Sequence, residues 1–308
     1  LEALQNERLK RIVAYVAANN PWQARRFREC GVDPATFRGL ADLHKLPFCD
    51  KNDFRLQYPL GMSCVDKSRI AEMHMSSGST GTPVVMPYTE NDLRQWAECM
   101  ARCYVMAGTH PGDVCQITPG FGLFNGGFGC YHGARAAGLF VIPSGAGNTL
   151  RQIRLARDFK TKALVAVVSY SIRLMELLDE QGLPDLKIGI FGAESFSPEM
   201  KKRIRDGLGV DAFDVYGMTE TGGIGLGMDC PAHEGIHVWE DQYVVEVVDP
   251  ETGEPVPDGE YGEITITSLT REALPAIRFR THDRGRILTR KKCVCGRTHL
   301  RLDTISGR

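Results

Sequence analysis

Apolar and polar positions follow three rhythms along the chain, and each predicts a different kind of element. Near the N-terminus Leu4, Leu9, Ile12, Val13 and Val16 recur at helical spacing, which predicts a helix over residues 3–18. Two shorter helices are expected over residues 35–44 and 51–57, the second capped by Asp50. Thr89 with Asp92 forms a capping-box pattern at the start of a long helix reaching about Ala107. The rhythm then changes to short, continuous apolar runs. Residues 114–118, 139–142, 163–168, 188–191 and 212–215 read as strands, and 129–137, 149–159 and 171–180 as helices. A further helix has Ser197 at its N-cap and Pro198 at its first position. Continuous apolar strands are those buried on both faces. The alternation therefore predicts an α/β fold: a doubly wound, largely parallel sheet with helices on both faces.

Beyond Tyr216 the third rhythm begins. Residues 243–248 and 263–267 alternate like half-exposed antiparallel strands, joined by the turn-rich residues 249–258. The expected organisation is a helical segment over 1–75, an α/β nucleotide-binding core over 76–219 and a smaller antiparallel β subdomain over 220–308.

Composition narrows the picture. The 308 residues are 43% hydrophobic and 24% charged with a net charge of -1, an ordinary globular balance that offers no basic surface for nucleic acid or membrane. No apolar run approaches the roughly 20 residues of a membrane helix, and no signal peptide opens the chain. Leu1 and Arg308 look like trimmed ends. The ten cysteines are too sparse for a disulfide scaffold. Cys99, Cys103, Cys115 and Cys130 lie singly in apolar settings as small core residues, which implies a reducing cytoplasm.

The stretch Met75-Ser76-Ser77-Gly78-Ser79-Thr80-Gly81-Thr82-Pro83 joins the apolar runs 70–75 and 84–86. Its glycines let the backbone close round an anion, and its hydroxyls and amides can donate to phosphate oxygens. An ordinary hairpin loop is the competing assignment. It is not a Walker loop, for no Gly-Lys-Ser/Thr follows. Ligands of open α/β sheets bind beyond the carboxyl ends of strands. Three stretches fall there: residues 120–129 (GFGLFNGGFG), Gly192-Ala193-Glu194-Ser195, and Tyr216-Gly217-Met218-Thr219-Glu220-Thr221. In the last, an aromatic ring, a hydroxyl and a carboxylate could stack a purine, hold a phosphate and ligate Mg²⁺. In the first, Phe121, Phe124 and the Gly126–Gly127 pair could wall a pocket for a flat ring, or simply be core.

Cys230-Pro-Ala-His233 and Cys293-Val-Cys295-Gly296 supply four soft or borderline ligands, enough for a closed, structural tetrahedral Zn²⁺ site. His237 and His299 are substitutes for His233 as the fourth ligand.

The ordered series of Ser/Thr/Gly loop, Tyr-Gly-Met-Thr-Glu, Arg280-Thr281-His282-Asp283 and terminal Ser-Gly-Arg308 resembles the adenylate-forming superfamily. Within it, Gly192-Ala193-Glu194 and Gly235-Ile236-His237-Val238-Trp239-Glu240-Asp241 resemble the phenylacetate–coenzyme A ligase family. The resemblance implies ATP-dependent activation of an aromatic carboxylic acid to an acyl-adenylate, then transfer to coenzyme A. It implies that Ser76, Ser77, Gly78, Ser79, Thr80 and Gly81 cradle the β/γ-phosphates. Tyr216 would stack on adenine, with Ala193 and Glu194 at its edge and Ser195, Asp214, Gly217 and Met218 nearby. Thr219 would touch the α-phosphate and Glu220 would hold Mg²⁺. Asp283 and Arg308 would meet the ribose, unless Asp283 pairs with Arg280 or Arg284 instead. Ile236 and His237 would lie by the acyl pocket, His237 among the catalytic residues. A homodimer is implied weakly. A mobile C-terminal domain is expected to be absent, so nucleotide binding without efficient adenylation is expected of this chain. Thr82 stands where the family commonly has Lys. Adenylyl transfer to another acceptor, as in coenzyme F390 synthetases, an inactive nucleotide-binding remnant and a zinc-dependent nucleic-acid binder are the alternatives.

Overall fold

The computed structural model describes residues 1–76, 81–305 and 307. Helices α1 (Glu2–Asn19), α2 (Pro21–Glu29) and α3 (Lys51–Leu56) open the chain, followed by the hairpin β1 (Glu72–Met75) and β2 (Val85–Tyr88) and the long α4 (Glu90–Met106). The alternating region runs β3 (Val114–Ile117), α5 (Gly126–Ala136), β4 (Phe140–Ile142), α6 (Thr149–Asp158), β5 (Ala163–Val167) and α7 (Val168–Glu176). It continues through β6 (Ile188–Gly192), α8 (Pro198–Leu208) and β7 (Asp211–Met218). Then come β8 (Gly223–Asp229), β9 (Ile236–Val238), β10 (Tyr243–Val248), β11 (Gly262–Ser268), β12 (Phe279–Gly285), β13 (Ile287–Thr289) and β14 (Arg301–Leu302).

One sheet of nine strands, ordered β13-β14-β9-β8-β7-β6-β5-β3-β4, forms the centre. Its β4-β3-β5-β6-β7 half is parallel, and from β7 through β8, β9 and β14 to β13 every pairing is antiparallel. Both faces of the parallel half are covered. Ala163 and Val165 of β5 share a core with Cys99, Met100 and Cys103 of α4 and Cys130 and Ala134 of α5. Their neighbours Leu164 and Ala166 face Ile153 of α6, Leu174 of α7 and Ile204 of α8. The predicted doubly wound α/β architecture is thus present, within a sheet that is mixed. Burial pushes the Cys99 and Cys115 thiols up to about 12, so they act as small hydrophobic residues rather than nucleophiles.

The β subdomain expected over 220–308 is divided. Strands β8, β9, β13 and β14 extend the large sheet, and β10, β11 and β12 alone form a separate antiparallel sheet. The helical segment packs onto that small sheet. Leu9, Ile12, Val13 and Val16 of α1 and Phe27 of α2 share a core with Val244, Leu269 and Ile277 beside that small sheet. The helix expected over 35–44 is a 3-10 turn, Leu40–Lys45, because Gly39 at φ 91° breaks the helical path. Helix α2 escaped the periodicity reading although Asn20 caps it and Pro21 is its first residue.

Asp92 ties these layers together. Fully buried, it closes the capping box with Thr89 and accepts from the backbone amides of Glu272 (2.7 Å) and Ala273 (2.9 Å). Asp92→Ala should lose the cap and orphan these amides, destabilising the fold by about 3 kcal/mol in urea titrations. Thr89→Ala should cost only about 1 kcal/mol. Equal, small losses would show that the carboxylate does not join α4 to the 272–273 loop.

Candidate functional site

Two cavities open at the carboxyl ends of the parallel strands. One, of about 390 Å³, is lined by residues 193–196, 214–218 and Asp283. The other, of about 260 Å³, is lined by Lys51, Ser76, Pro119, residues 124–126, 165–167, 192–193 and 217–220, and Ile224. They share Ala193, Gly217 and Met218. At that junction β8 bulges against β7, with Gly225 and Leu226 as the extra residues. The register against β8 shifts between Tyr216 and Gly217, so the strand end is re-aimed where the two cavities meet. A side chain is impossible at position 217, where a Cβ would lie 2.4 Å from the Gly223 carbonyl oxygen.

In the larger cavity the half expected to bind nucleotide is assembled. The Tyr216 hydroxyl donates to Asp283 Oδ2 at 2.9 Å, linking two residues 67 positions apart. The competing ion pair of Asp283 with Arg280 is not formed, since Arg280 forks onto Glu263. Glu194 turns its carboxylate to the start of α7, accepting from Ser169 N and Oγ at 2.6 and 2.7 Å. Its backbone, and that of Ala193 at φ 67°, are what this edge presents. Asp214 lies at the cavity floor, where burial and the neighbouring Asp229 push its carboxyl up to about 7.

At the junction Thr219 and Glu220 form a buried 3-10 turn. Glu220 is paired with Lys51 Nζ at 3.0 Å, a partner from α3 that motif reading missed. Its signal is faint: a lysine at the first position of an Asp-capped helix. One turn on, Arg55 Nε donates to the Thr82 carbonyl at 3.1 Å. A guanidinium thus stands at the exit of the Ser/Gly loop, beside the residue noted as lacking a lysine. Ser76 closes the loop's base, its hydroxyl accepting from Val84 N at 2.9 Å, and Gly81 has φ 128°. Ser77, Gly78, Ser79, Thr80 and Arg308 lie outside the described residues.

The smaller cavity is apolar on Pro119, Phe124, Val165 and Ile224. Phe124 and Gly126 line it as expected; a Cβ on Gly126 would meet the Phe124 ring at 2.5 Å. Three expectations are corrected. Phe121 packs edge-on against Phe128 at 5.3 Å, and Gly127 abuts the Gly120 carbonyl, so both belong to the core beside the cavity. Ile236 lies in β9 beneath α8, bordering a separate hollow with Lys201 and Arg205.

The cysteines do converge, with a different histidine. Ligand atoms of Cys230, His237, Cys293 and Cys295 all lie within 4.8 Å of one another. Cys230 Sγ and Cys293 Sγ are 3.8 Å apart, and Cys295 Sγ is 3.6 Å from His237 Nε2. His233, expected here, is held between Asp211 (2.7 Å) and Asp229 (2.8 Å), which raise it to about 9 and make it a cation. His237, expected by the acyl pocket, is fully buried in the cysteine cluster and lines neither cavity. Burial, with His299 nearby, pushes it down to about 4, so its ring is neutral.

A half-parallel sheet with two cavities meeting at its carboxyl ends is the ligand-binding arrangement of an open α/β enzyme. The chain belongs to the AMP-binding enzyme family, which its residues 13–270 match. The phenylacetate-coenzyme A ligase of Thermus thermophilus is 43% identical over 313 residues, covering 100% of this chain and 70% of the relative. That of Escherichia coli is 42% identical over 314 residues, covering 100% and 71%. A 2-hydroxyisobutyryl-CoA ligase in the postadenylation state with 2-HIB-AMP superposes with a TM-score of 0.93 at 29% identity, covering 100% of this chain and 67% of its own.

The Lys51–Glu220 pair makes a measurable prediction. Lys51→Met leaves a buried carboxylate uncompensated and should cost about 2 kcal/mol or more of stability, most of it recovered in the Lys51→Met/Glu220→Gln double variant. Additive losses in the urea-denaturation cycle would show that the two side chains are not coupled.

Proposed function

We propose that this protein activates an aryl-substituted carboxylic acid with ATP and passes the acyl group to coenzyme A. A carboxylate oxygen of the acid attacks the α-phosphorus of ATP, and pyrophosphate leaves as the acyl-adenylate forms. The coenzyme A thiol, losing its proton, then attacks the acyl carbonyl, and AMP leaves with the electrons of the broken C–O bond. The meeting of the two cavities at Ala193, Gly217 and Met218 carries this reading: the smaller, with an apolar wall of Phe124, Val165 and Ile224 beside Lys51, Thr219 and Glu220, would bring carboxylate and α-phosphate together next to the nucleotide cavity. No side-chain nucleophile is required. The substrate class follows the names of the phenylacetate-coenzyme A ligases, and the 2-hydroxyisobutyryl-CoA ligase has been solved with 2-HIB-AMP and CoA together.

The roles implied by the family resemblance fit these positions. Tyr216 would stack on adenine, held by its bond to Asp283, whose carboxylate would meet the ribose hydroxyls. The backbone of 193–194, with Ser195 and Asp214, would meet the base edge, and Thr219 the α-phosphate. Ser76 and Gly81 flank the stretch assigned to the outer phosphates, with Lys51 and Arg55 supplying positive charge. Glu220 is the buried carboxylate that would hold Mg²⁺, whose contribution is to neutralise charge on the phosphate oxygens. Calorimetry with ATP and Mg²⁺ should show binding that Tyr216→Ala weakens at least about tenfold, roughly 1.4 kcal/mol. Undiminished binding by the variant would remove Tyr216 from the adenine site. Pyrophosphate release on adding phenylacetate, with a product that requires coenzyme A, tests the reaction; product formed without coenzyme A would favour another acceptor.

Cys230, His237, Cys293 and Cys295 we read as a structural Zn²⁺ site. Tetrahedral zinc with bonds of about 2.3 Å to sulfur and 2.0–2.1 Å to nitrogen sets S···S near 3.8 Å and S···N near 3.6 Å, and the side chains stand at 3.8 and 3.6 Å. Four protein ligands leave no open position, so the metal would join β8 and β9 to the 293–295 turn. Elemental analysis should find about one zinc per chain, lost with a fall in Tm in His237→Ala and retained in His233→Ala. Metal retained by His237→Ala would dismiss this ligand set.

A further inference from the structure

Asn125 occupies the N-cap of α5, where asparagine ordinarily bonds the helix's free amides, yet its side chain makes no such bond. The residue is 2% exposed, and its amide nitrogen has no hydrogen-bond partner. It lines the apolar cavity together with Phe124, Val165 and Ile224. The side chain thus gives up a cap and remains unsatisfied in a buried place, two separate costs to stability with no return inside the protein.

A second orphan lies next to it. The hydroxyl of the fully buried Tyr88 is the polar neighbour of the Asn125 side chain, in a contact that falls short of full hydrogen-bond geometry. Tyr88 has little room to turn. Its ring stacks on Trp96, centroids 5.0 Å apart, and the Arg271 guanidinium sits 4.3 Å from its centroid. The cavity wall therefore carries an amide with a buried phenol behind it, each the other's polar neighbour and neither in full hydrogen-bond geometry. A polar atom on the ligand could accept from the amide and donate to the phenol oxygen. A ligand without one leaves both groups unpaired, which is the arrangement that discriminates most strongly between analogues.

We propose that Asn125, backed by Tyr88, reads a hydroxyl group on the aromatic ring of the acid, so that the preferred substrate is a ring-hydroxylated aryl acid. This rests on the aryl-acid ligase reading above. With the chain saturated in ATP and Mg²⁺, calorimetry is run on phenylacetate and on its 2-, 3- and 4-hydroxy derivatives, and pyrophosphate release is followed in parallel. At least one hydroxylated isomer should bind tenfold or more tightly than phenylacetate. Asn125→Leu should bring that ratio to about one, chiefly by weakening the hydroxylated acid. Tyr88→Phe, a same-shape change that guards against misfolding of the first variant, should lower the ratio severalfold. Equal affinities across the wild-type series, or a ratio untouched by Asn125→Leu, would overturn the inference while pyrophosphate release still upheld the ligase. Failure of all four acids to bind the ATP-saturated chain would remove the aryl-acid reading and this inference with it.

Discussion

Strand β7 is the seam on which the rest of this structure depends. On one side it pairs in parallel with β6 and on the other it runs antiparallel to β8, so it alone joins the two halves of the sheet. Backbone contact across that seam is too close for side chains. A Cβ at Gly192 would lie 2.5 Å from the Val215 carbonyl, and one at Gly217 would lie 2.4 Å from that of Gly223. Such closeness turns a local bulge into a device. Tyr216 before it serves the polar cavity, Thr219 and Glu220 after it line the apolar one, and Gly217 and Met218 belong to both. A reaction that needs two ligands to meet end to end is served by a strand end that faces two ways.

The seam also explains which parts of the fold were legible in the sequence. Strands β3 to β7 are continuous apolar runs because both of their faces are covered, and such runs stand out between helices. Strand β8, Gly-Ile-Gly-Leu-Gly-Met-Asp, is just as buried, but its glycines leave no apolar pattern to find. The glycines are there for β7 and α4: a Cβ on Gly223 would enter the Trp96 ring and one on Gly225 the Met100 side chain. Close packing therefore erased the very signal that would have shown the sheet continuing past residue 220. At the site, the motif residues whose work is local were legible, while Lys51, Arg55 and Asn125, whose work depends on distant elements arriving beside them, were not.

The two histidines show the same limit at closer range. Cys-x₂-His suggests that residues 230 and 233 share a ligand shell, since four residues make a tight turn. The turn forms, with His233 N donating to the Cys230 carbonyl at 2.8 Å, but His233 sits at φ 52° and its ring goes to Asp211 and Asp229. Two carboxylates keep that imidazole protonated, and a protonated imidazole has no lone pair for a metal. His237 arrives by register instead, lying opposite Met228 on one side and Arg301 on the other, in reach of the hairpin that carries Cys293 and Cys295. Strand pairing, not sequence proximity, selects the fourth member of the cluster.

Buried polar groups mark the functional part of this molecule because burial makes each of them answer for its partner. Asp92 is satisfied by backbone amides and holds α4 to the loop that precedes β12. Glu220 is ion-paired with a single lysine, although its Oε1 accepts no hydrogen bond of full geometry, and Mg²⁺ or phosphate would have to compete with that pair. The Asn125 amide nitrogen and the Tyr88 hydroxyl meet each other, but short of full hydrogen-bond geometry. Within the site the groups range from an ion pair that a ligand could replace to an amide nitrogen with no hydrogen bond of full geometry, and buried orphans also occur away from it, at Thr109 and Thr265 among others. Since an unpaired buried amide is destabilising, folding alone gives no reason to keep it. The simplest physical reason for its presence is a partner that arrives with the substrate.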